Sequence, residues 1–372
     1  MEIVVNSTVL DKAIQAVSVA ATTSATDLTA HAVFDVTSTE VFVLAYTKRI
    51  SVKLPLTVVS ASEPGRFTVD IKRFRTLLST LSDEDITLKY DNYVVTVNTS
   101  LGEQDFTSLD PSRFPWWDHQ LAEAKPTAKI LASTLSKAIA DAKEFAGGKE
   151  QTNTGRDFSV LEMQSGKIAS TDGQVAALLT VEGLESATFR IHVGTASSVL
   201  KYFATFEVEE EVEVLESNMS LFFRRPDGAV FTEVKSVSGL PVIRVGKEPA
   251  TVTWSIHKDS LAKAMKFLSA GAPDNDNHLR FYWDNGTLAV GMNGSAGKIR
   301  KVNLTTSDVV EADSSEIKPF ALSYNAVQRM ANVSEGDKMS MALVLSKGSG
   351  YVQVASDRGQ VKSLFFSAWL RG

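Results

Sequence analysis

Leu10-Asp11-Lys12-Ala13-Ile14 returns twice further along the chain, as Leu135-Ser136-Lys137-Ala138-Ile139 and as Leu261-Ala262-Lys263-Ala264-Met265. The copies begin 125 and 126 residues apart in a chain of 372 residues. So constant an interval indicates that one structural unit is used three times. Each unit has a third of the chain, which is close to the commonest domain size. The repeat therefore predicts three similar domains, at residues 1–123, 124–248 and 249–372.

Each copy of the repeat has the spacing of an amphipathic helix. Leu10, Ala13, Ile14 and Val17 fall at i, i+3, i+4 and i+7, so they share one helix face. A second helical pattern, preceded by a short strand pattern, follows roughly 64 residues later in each unit. The six predicted helical windows are 6–20, 70–81, 132–146, 194–206, 258–270 and 323–333. The predicted N-caps are Asn6 or Ser7, Asp70, Ser133, Asp259 or Ser260, and Ser323.

The segments between these windows predict antiparallel strands. Phe42, Leu44 and Tyr46 alternate with other residues, and Val94 to Val97 is rich in β-branched side chains, both typical of strands. Proline and small residues at 124–128 and 247–251 predict exposed linkers. The predicted fold class is α+β, with two helices packed on antiparallel sheet in each of the three domains.

Composition excludes several classes of protein. Hydrophobic residues make up 44% of the chain and charged residues 22%, as in globular proteins. No apolar run approaches the roughly 18 residues of a membrane span. The start of the chain lacks the pattern of a secretory signal, and there is no cysteine, so we expect a cytoplasmic protein without membrane contact.

Positive charge is concentrated in the predicted helices. The six windows hold eleven Lys or Arg and five acids, so they sum to +6 although the whole chain carries −6. Lys12, Lys137 and Lys263 occupy the same repeat position, almost opposite the apolar stripe of their helix. A shared basic helix face suits a sequence-independent contact with phosphates.

This arrangement resembles the bacterial-type DNA sliding clamp, the β subunit of DNA polymerase III. The resemblance covers the full length and is carried by the three-domain repeat, by Phe106 to Pro115, by Ser170-Thr171-Asp172-Gly173 and by Phe231 to Val245. It implies the DNA clamp fold and a head-to-tail homodimer ring of six domains around duplex DNA. It further implies a processivity factor, served by a replicative polymerase and a clamp loader that bind through short clamp-binding peptides.

The resemblance also implies two sets of binding residues. Contacts to duplex DNA, without sequence preference, are assigned to the helix residues Lys12, Lys72, Arg73, Lys137, Lys143, Lys201, Lys263, Lys266 and Arg329. The partner-peptide pocket is assigned to Thr171, Gly173, Gln174, Val175, Pro241, Arg244, Val245, Phe366, Ala368 and Leu370. Gln174 and Val175 replace the basic and aliphatic residues usual in relatives, so peptide preference is expected to differ; a purely structural role in the sheet is the alternative.

The expected dimer interface departs from its relatives in charge. Relatives commonly place basic residues on the last strand of the first domain and acids on the third domain. Here that strand carries Glu103, Asp105 and Phe106, and the third domain carries Lys298, Arg300 and Lys301. We expect ring-closing charges of swapped sign, the alternative being unrelated charges on edge strands. Ala270-Gly271, where relatives tend to have larger apolar residues, predicts a ring that opens more easily.

Signals of catalysis are weak throughout the sequence. Gly147-Gly148-Lys149 lacks the first glycine and the hydroxyl residue of a phosphate-binding loop. The run at 274–277 resembles the start of a calcium loop without its glycine and glutamate, and the five histidines show no zinc spacing. We expect no enzyme activity, no cofactor and no metal. Trp116-Trp117 is interpreted as a hydrophobic anchor, with base stacking as the alternative.

Two other functions remain open from the sequence. One is a monomeric scaffold or interaction protein with the clamp fold. The other is a β-rich enzyme with a site between domains, which requires an acid-base pair or metal cluster. The sequence leaves open whether the protein belongs to a bacterial cell or, if virus-encoded, to an infected cell.

Overall fold

A computed structural model gives the architecture of the chain. It describes residues 1–22, 27–147, 157–207, 209–234, 249–274, 276–284, 287–304, 306–310, 319–346, 349–357 and 361–368. None of the helices in these ranges has the length and apolar character needed to cross a membrane.

Seven α-helices lie in the described residues, and six of them match the predicted windows. They are α1 (Ser7–Val17), α2 (Ile71–Leu78), α3 (Asp118–Glu123), α4 (Ala132–Glu144), α5 (Val193–Phe203), α6 (Lys258–Ser269) and α7 (Tyr324–Val333). Only the short helix α3 was not predicted.

Strands fill the intervals between the helices. In the first third of the chain they are β1 (Glu2–Asn6), β2 (His31–Val36), β3 (Val41–Tyr46), β4 (Ile50–Pro55), β5 (Ser60–Ala61), β6 (Gly65–Asp70), β7 (Asp85–Asp91), β8 (Val94–Thr99) and β9 (Gly102–Thr107). In the second they are β10 (Lys125–Leu131), β11 (Val160–Gln164), β12 (Lys167–Thr171), β13 (Val175–Val181), β14 (Thr188–His192), β15 (Glu211–Glu216), β16 (Ser220–Arg224) and β17 (Val230–Val234). In the last they are β18 (Val252–His257), β19 (His278–Asp284), β20 (Thr287–Asn293), β21 (Ile299–Asn303), β22 (Thr306–Val310), β23 (Phe320–Ser323), β24 (Lys338–Ser346), β25 (Ser349–Asp357) and β26 (Val361–Ala368).

By contact density the chain forms two compact units. The first contains Met1–Ser136 with Thr195–Ser236, and the second contains Lys137–Gly194 with Val237–Gly372. The first unit holds a five-stranded sheet, β5-β1-β7-β8-β9, and an eight-stranded sheet, β10-β15-β16-β17-β4-β3-β2-β6. The second holds a nine-stranded sheet, β14-β11-β12-β13-β26-β25-β24-β18-β22, and a four-stranded sheet, β21-β20-β19-β23. The three-domain boundaries remain a prediction.

The helices pack on these antiparallel sheets through the predicted apolar stripes. Leu10, Ile14 and Val17 of α1 are fully buried, and so is Leu261 of α6. The exposed faces of the same helices carry the lysines. Burial of one stripe and exposure of the opposite face follow from the period of 3.6 residues, so the fold class read from the pattern is confirmed.

The threefold repeat is visible in how the helices begin. The first amide of α1, that of Ser7, donates to the Glu84 carbonyl at 2.8 Å. The first amides of α4 and α6 donate in the same way to the carbonyls of Glu210 and Asp337, both at 2.9 Å. A carbonyl at the start of a later strand therefore satisfies an amide that the helix itself leaves without a partner.

Two of the predicted N-caps are right and one is wrong. The side chain of Asn6 accepts from Thr8 and Val9 at the start of α1, and that of Asp70 accepts from Arg73 at the start of α2. The cap predicted at Asp259 or Ser260 is wrong: α6 begins at Lys258 after His257, which makes no side-chain cap.

Two further predicted caps differ in detail. The helix α4 begins at Ala132, so the predicted cap Ser133 lies inside its first turn. Ser323 is the N-cap of α7 by position, but its side chain makes no capping bond. In both cases the first helical amide donates to a distant carbonyl instead, which lessens the need for a capping side chain.

The predicted linker at 124–128 is a strand instead. Lys125–Leu131 forms β10 at the edge of the eight-stranded sheet, with a register shift between Pro126 and Ala128. An edge strand tolerates proline because its outer amide needs no partner. The proline that indicated a linker therefore marks an edge and an irregularity.

Trp116 and Trp117 serve as hydrophobic anchors in the segment before β10. Trp117 is 6% exposed and packs against Phe222, with ring centroids 5.7 Å apart. Trp116 packs against Phe114 and carries the Arg66 guanidinium 3.7 Å from its ring centroid. Both indoles lie against the eight-stranded sheet, which supports the anchor interpretation over base stacking.

Candidate functional site

A basic cleft of about 730 Å³ lies in the first unit beside α1 and the end of α5. Lys12, Arg75 and Lys201 reach it with exposed side chains. Lys12 projects from α1 and Lys201 from α5, both on faces opposite the buried stripes. Within the described residues none of the three forms a salt bridge. Their charge is therefore open to an anionic ligand.

Arg225 also lines this cleft but is held by the protein. Its Nε lies 3.2 Å from a Glu210 carboxylate oxygen, and its Nη1 donates to the Thr205 carbonyl at 3.2 Å. Its guanidinium also lies over the Phe206 ring, 4.7 Å from the centroid. Sequence reasoning missed Arg225 because it lies just after β16, outside the helical windows.

The other predicted DNA-binding residues of the first unit, Lys72 and Arg73, lie on α2. Both side chains are exposed, and α2 packs directly against α1. Arg73 lies at a second groove, described below. The first unit thus gathers four predicted DNA-binding residues on three helices of one compact body.

The second unit places its five predicted DNA-binding residues in different surroundings. Lys263 and Lys266 are exposed on α6, whereas Lys143 of α4 is half-buried. Lys137 Nζ lies 2.7 Å from Glu335 Oε1, but both side chains are about half exposed, so solvent weakens this pair. Arg329 Nη1 donates to Asp172 Oδ2 at 2.7 Å and is the least available of the five.

The predicted peptide pocket is built on the tight turn between β12 and β13. Thr171 Oγ1 donates to the Val175 carbonyl at 2.6 Å and accepts from the Gly173 amide at 3.0 Å. Asp172 Oδ1 accepts from the amides of Gln174 and Val175, both at 2.9 Å. Gly173 has φ +92°, a conformation that favours glycine. The turn is thus rigid, and its threonine-aspartate-glycine order has a physical reason.

Phe158 and the helix α7 also lie against this turn. Phe158 packs beneath the turn, where a Cβ on Gly173 would lie 3.4 Å from its ring. The ion pair with Arg329 joins α7 to the turn. Sequence reasoning assigned neither Phe158 nor Asp172 to the predicted pocket, since neither residue type marks a peptide site by itself.

The C-terminal part of the predicted pocket is described only in its backbone. The pairing of β13 with β26 places Ala176 opposite Phe366 and Val175 opposite Ser367, and Ala368 pairs with Tyr351 of β25. The strands thus bring Phe366 and Ala368 beside the turn. Four further predicted pocket residues lie outside the described residues: Pro241, Arg244, Val245 and Leu370.

One half of the predicted interface lies on β9, the edge strand of the five-stranded sheet. Glu103 and Asp105 are exposed, and Asp105 accepts from Thr96 Oγ1 at 2.7 Å. Phe106 is only 9% exposed because its ring packs edge-on against Phe74 of α2, with centroids 5.4 Å apart. Beside it a groove of about 800 Å³ runs between α2 and β9.

The other half lies on and just before β21, the edge strand of the four-stranded sheet. Lys298, Arg300 and Lys301 are all exposed, and Lys301 Nζ lies 3.9 Å from the centroid of the Tyr282 ring. The Arg300 guanidinium covers Gly271, where a Cβ would lie 3.4 Å from Nη1. Gly271 therefore leaves room for an arginine side chain on the end of α6.

A network of hydrogen bonds around Asp276 holds the loop after α6 against β20. Burial alone would raise the pKa of Asp276, but bonds from the Asn293 amide, the Arg280 side chain and the His278 amide outweigh it and lower the pKa. This carboxylate is therefore satisfied by protein donors. Among the described residues no group of three or more acids or histidines is arranged to hold a metal ion.

Several solved structures share this architecture over their full length. A DNA polymerase sliding clamp from Pseudomonas aeruginosa superposes with a TM-score of 0.83 at 14% sequence identity. The DNA polymerase III subunit β from the same organism gives 0.81 at 15%, and the Helicobacter pylori β clamp bound to a DNA ligase peptide gives 0.79 at 12%. Each superposition covers 100% of both chains. No protein-family model and no curated sequence matches the chain. The likeness over the full length shows that the chain has the sliding-clamp fold.

Proposed function

We propose that the protein is a DNA sliding clamp, a processivity factor in which two copies form a ring around duplex DNA. The observation that carries the proposal is the way in which strands join the predicted domains within one chain. The third strand after the first helix of a domain pairs with the third strand after the second helix of the next domain. This rule produces the pairs β4 with β17 and β13 with β26.

Within the described residues the same rule leaves one pair of strands that are not joined to each other. The remaining members are β21, third after α6, and β9, third after α2. Both are edge strands within the described residues. An exposed edge is a template for pairing with another chain. Joining β9 of one copy to β21 of the next is a heterologous contact, and heterologous contacts build rings when the rotation closes.

The charge distribution supports duplex DNA as what the ring encloses. Lys12, Arg75 and Lys201 in the first unit and Lys263 and Lys266 in the second are exposed cations on helices. The chain as a whole is acidic, so nonspecific attraction to DNA elsewhere on its surface is weak. Contacts to phosphates alone carry no sequence information, which suits a protein that slides.

The turn at 171–175 supports a second role, the capture of partner peptides. Its rigid backbone, with Phe158 beneath it and β26 alongside, suits a short extended segment. The structurally similar Helicobacter pylori clamp carries a DNA ligase peptide. In this proposal a replicative polymerase and a clamp loader dock here, the protein has no catalytic activity of its own, and it works in the bacterial cytoplasm or in an infected cell.

Retention on DNA of different topology tests the proposal. The purified protein is assembled on nicked circular plasmid, with loader if needed, and then passed over a sizing column in about 0.5 M salt, where simple phosphate contacts are weak. Protein that stays with circular DNA and is lost after a single restriction cut supports a ring. Equal loss from circular and linear DNA refutes the proposal, and a stable monomer with partner binding favours the scaffold alternative.

A further inference from the structure

We infer that the basic cleft of the first unit binds a free nucleoside polyphosphate, a small ligand with a flat base and a chain of phosphates. The cleft has a volume of about 730 Å³, which is typical of small-molecule sites. The inference goes beyond the proposed function, because a single chain binds such a ligand without a ring and without DNA. A cationic half and an apolar half of the cleft support it.

Three cations form the polar half of the cleft. Lys12 of α1, Arg75 of α2 and Lys201 of α5 line it with exposed side chains. Within the described residues none of them forms a salt bridge. Among the described lining residues the one acid is Asp227, whose carboxylate lies 3.4 Å from Arg225 Nε. The three cations therefore suit a chain of phosphates, with which they form charge-assisted hydrogen bonds.

The counterparts of two of these cations are neutralised in the second unit. Lys137 is the repeat counterpart of Lys12. Arg329 corresponds to Lys201, because each follows a fully buried valine of its helix by two residues. Lys137 lies 2.7 Å from a glutamate carboxylate, and Arg329 lies 2.7 Å from an aspartate carboxylate. The repeated positions are thus paired within the second unit and open to an external anion in the cleft of the first.

Contact with duplex DNA does not account for the apolar half of the cleft. This half includes Val9 and Ala13 of α1 and Leu54 and Leu56 at the end of β4. The two leucines are 7% and 5% exposed, so they lie deeper than the exposed cations. A duplex presents its phosphates on a convex surface and keeps its bases stacked inside, so its backbone reaches the outer cations and leaves the apolar wall uncovered. A small ligand with a base fills both halves.

Arg225 supplies a flat surface for the base. Phe206 covers one face of its guanidinium, with the ring centroid 4.7 Å away. Glu210 and Asp227 oxygens lie 3.2 and 3.4 Å from Nε, and Nη1 donates to the Thr205 carbonyl at 3.2 Å. The opposite face of the guanidinium is therefore left for the cleft that Arg225 lines. Guanidinium planes stack on bases. Since two acids already balance the charge of Arg225, it serves the base and the three other cations serve the phosphates.

A bound nucleotide competes with DNA for the same cations. Lys12 and Lys201 are among the residues proposed to contact DNA, and phosphates of a bound nucleotide occupy both ammonium groups. Free nucleotide in the cleft therefore weakens the attraction of the first unit to DNA. This consequence alone rests on the proposed function.

Isothermal titration calorimetry of the full chain tests the inference with three ligands. ATP carries both parts of the expected ligand, adenosine carries only the base and sugar, and tripolyphosphate carries only the phosphates. We expect ATP to bind at least about tenfold more tightly than either fragment, because only ATP fills both halves of the cleft. Absence of ATP binding overturns the inference. Tripolyphosphate or adenosine that binds as tightly as ATP also overturns it, since one half of the cleft then explains all the affinity.

A lysine variant tests the cationic half. Lys12→Ala with Lys201→Ala should weaken ATP binding about tenfold or more, because it removes two charge-assisted contacts. Lys263→Ala with Lys266→Ala removes the same charge from exposed positions of α6 and is the matched control, expected to bind ATP as the wild type does. Equal losses in the two variants overturn the inference, because attraction to the overall charge of the chain then explains ATP binding.

An arginine variant tests the apolar half. Arg225→Lys keeps the positive charge and removes the flat guanidinium. We expect ATP to bind about fivefold more weakly, because base stacking is lost, while the affinity for tripolyphosphate stays unchanged and shows that the cleft is intact. Unchanged ATP affinity, or equal losses for ATP and tripolyphosphate, overturns the placement of the base on Arg225. Failure of these tests leaves the clamp proposal standing, because that proposal is tested by retention on circular DNA.

Discussion

Phe267 is exposed on α6, the helix that packs against the edge strand β21, so replacing it by alanine should weaken the proposed dimer strongly while sparing the fold. A phenylalanine side chain contributes about 200 Å² of surface, and 65% exposure leaves roughly 130 Å² to bury in a partner. At about 25 cal/mol per Å², this burial stabilises each join by about 3 kcal/mol. A ring of two copies has two joins, and alanine keeps part of the area. We therefore expect the dimer to be destabilised by about 4–6 kcal/mol, or roughly 10³- to 10⁴-fold in its dissociation constant.

The assay is sedimentation velocity across a dilution series, with thermal unfolding measured in parallel. Phe267 lies outside the buried stripe of α6, and alanine favours helix, so we expect little change in the stability of the monomer. Met219 is 66% exposed, and its replacement by alanine is the matched control, expected to leave the dimer unchanged. A Phe267→Ala variant whose dissociation constant stays within threefold of the wild type would refute the assignment of this side chain to the dimer contact.

Three further predictions concern other parts of the molecule. Lys12→Ala with Lys201→Ala should lower the salt dependence of DNA binding by about one unit of slope for each phosphate that is no longer neutralised, measured by titration at several salt concentrations. Arg329→Ala should weaken binding of a clamp-binding peptide about two- to fivefold in fluorescence anisotropy, because the guanidinium holds Asp172 and through it the turn. Asp276→Asn should destabilise the fold at pH 7 by about 1.5–3 kcal/mol in thermal unfolding, because it removes charge-assisted hydrogen bonds. Its pKa is lowered in the folded state, so its contribution is complete above the ordinary carboxyl value of about 4 and disappears as the pH falls through the lower folded value.

Each of these three predictions has its own control or its own contrary outcome. Lys167, exposed on β12, is the matched control for the lysine pair, and an equal fall in slope for Lys167→Ala would remove the special role of the helices. If peptide binding were unchanged in Arg329→Ala, the contact between α7 and the turn would have no part in binding the peptide. Wild type and Asp276→Asn losing stability in parallel below pH 4 would show that another carboxylate dominates acid unfolding.

The helical architecture was predictable because its signals are local. Leu10, Ile14 and Val17 repeat at helical spacing, and the caps Asn6 and Asp70 lie next to the amides that they satisfy. The start of α6 was not predictable, because His257 makes no side-chain cap and the Lys258 amide bonds a carbonyl 79 residues away. The strand β10 was hidden for a related reason: only its place at a sheet edge makes Pro126 acceptable there.

The residue types at the candidate sites could be predicted from the sequence, but the residues that they contact could not. The lysine of each repeat is exposed as its helix position requires. The ion pair between Arg329 and Asp172 joins residues 157 positions apart, so spacing gave no signal of it. The charges of the acidic edge β9 and the basic edge β21 could be read from the sequence. The proposal that these two strands pair with each other follows only from the observed pairs β4–β17 and β13–β26.

Covalent closure of the ring tests the central claim most directly. The chain has no cysteine, so Asp105→Cys on β9 with Lys301→Cys on β21 introduces thiols only at the proposed join, where residues opposed across paired strands lie at a separation that a disulfide spans. Protein mixed with circular DNA under reducing conditions and then oxidised should form a covalent dimer that stays on the plasmid in denaturant and is released by one restriction cut. A failure to form the two-copy cross-link, or a cross-linked dimer that denaturant strips from intact circles, would contradict a ring closed through β9 and β21 around DNA.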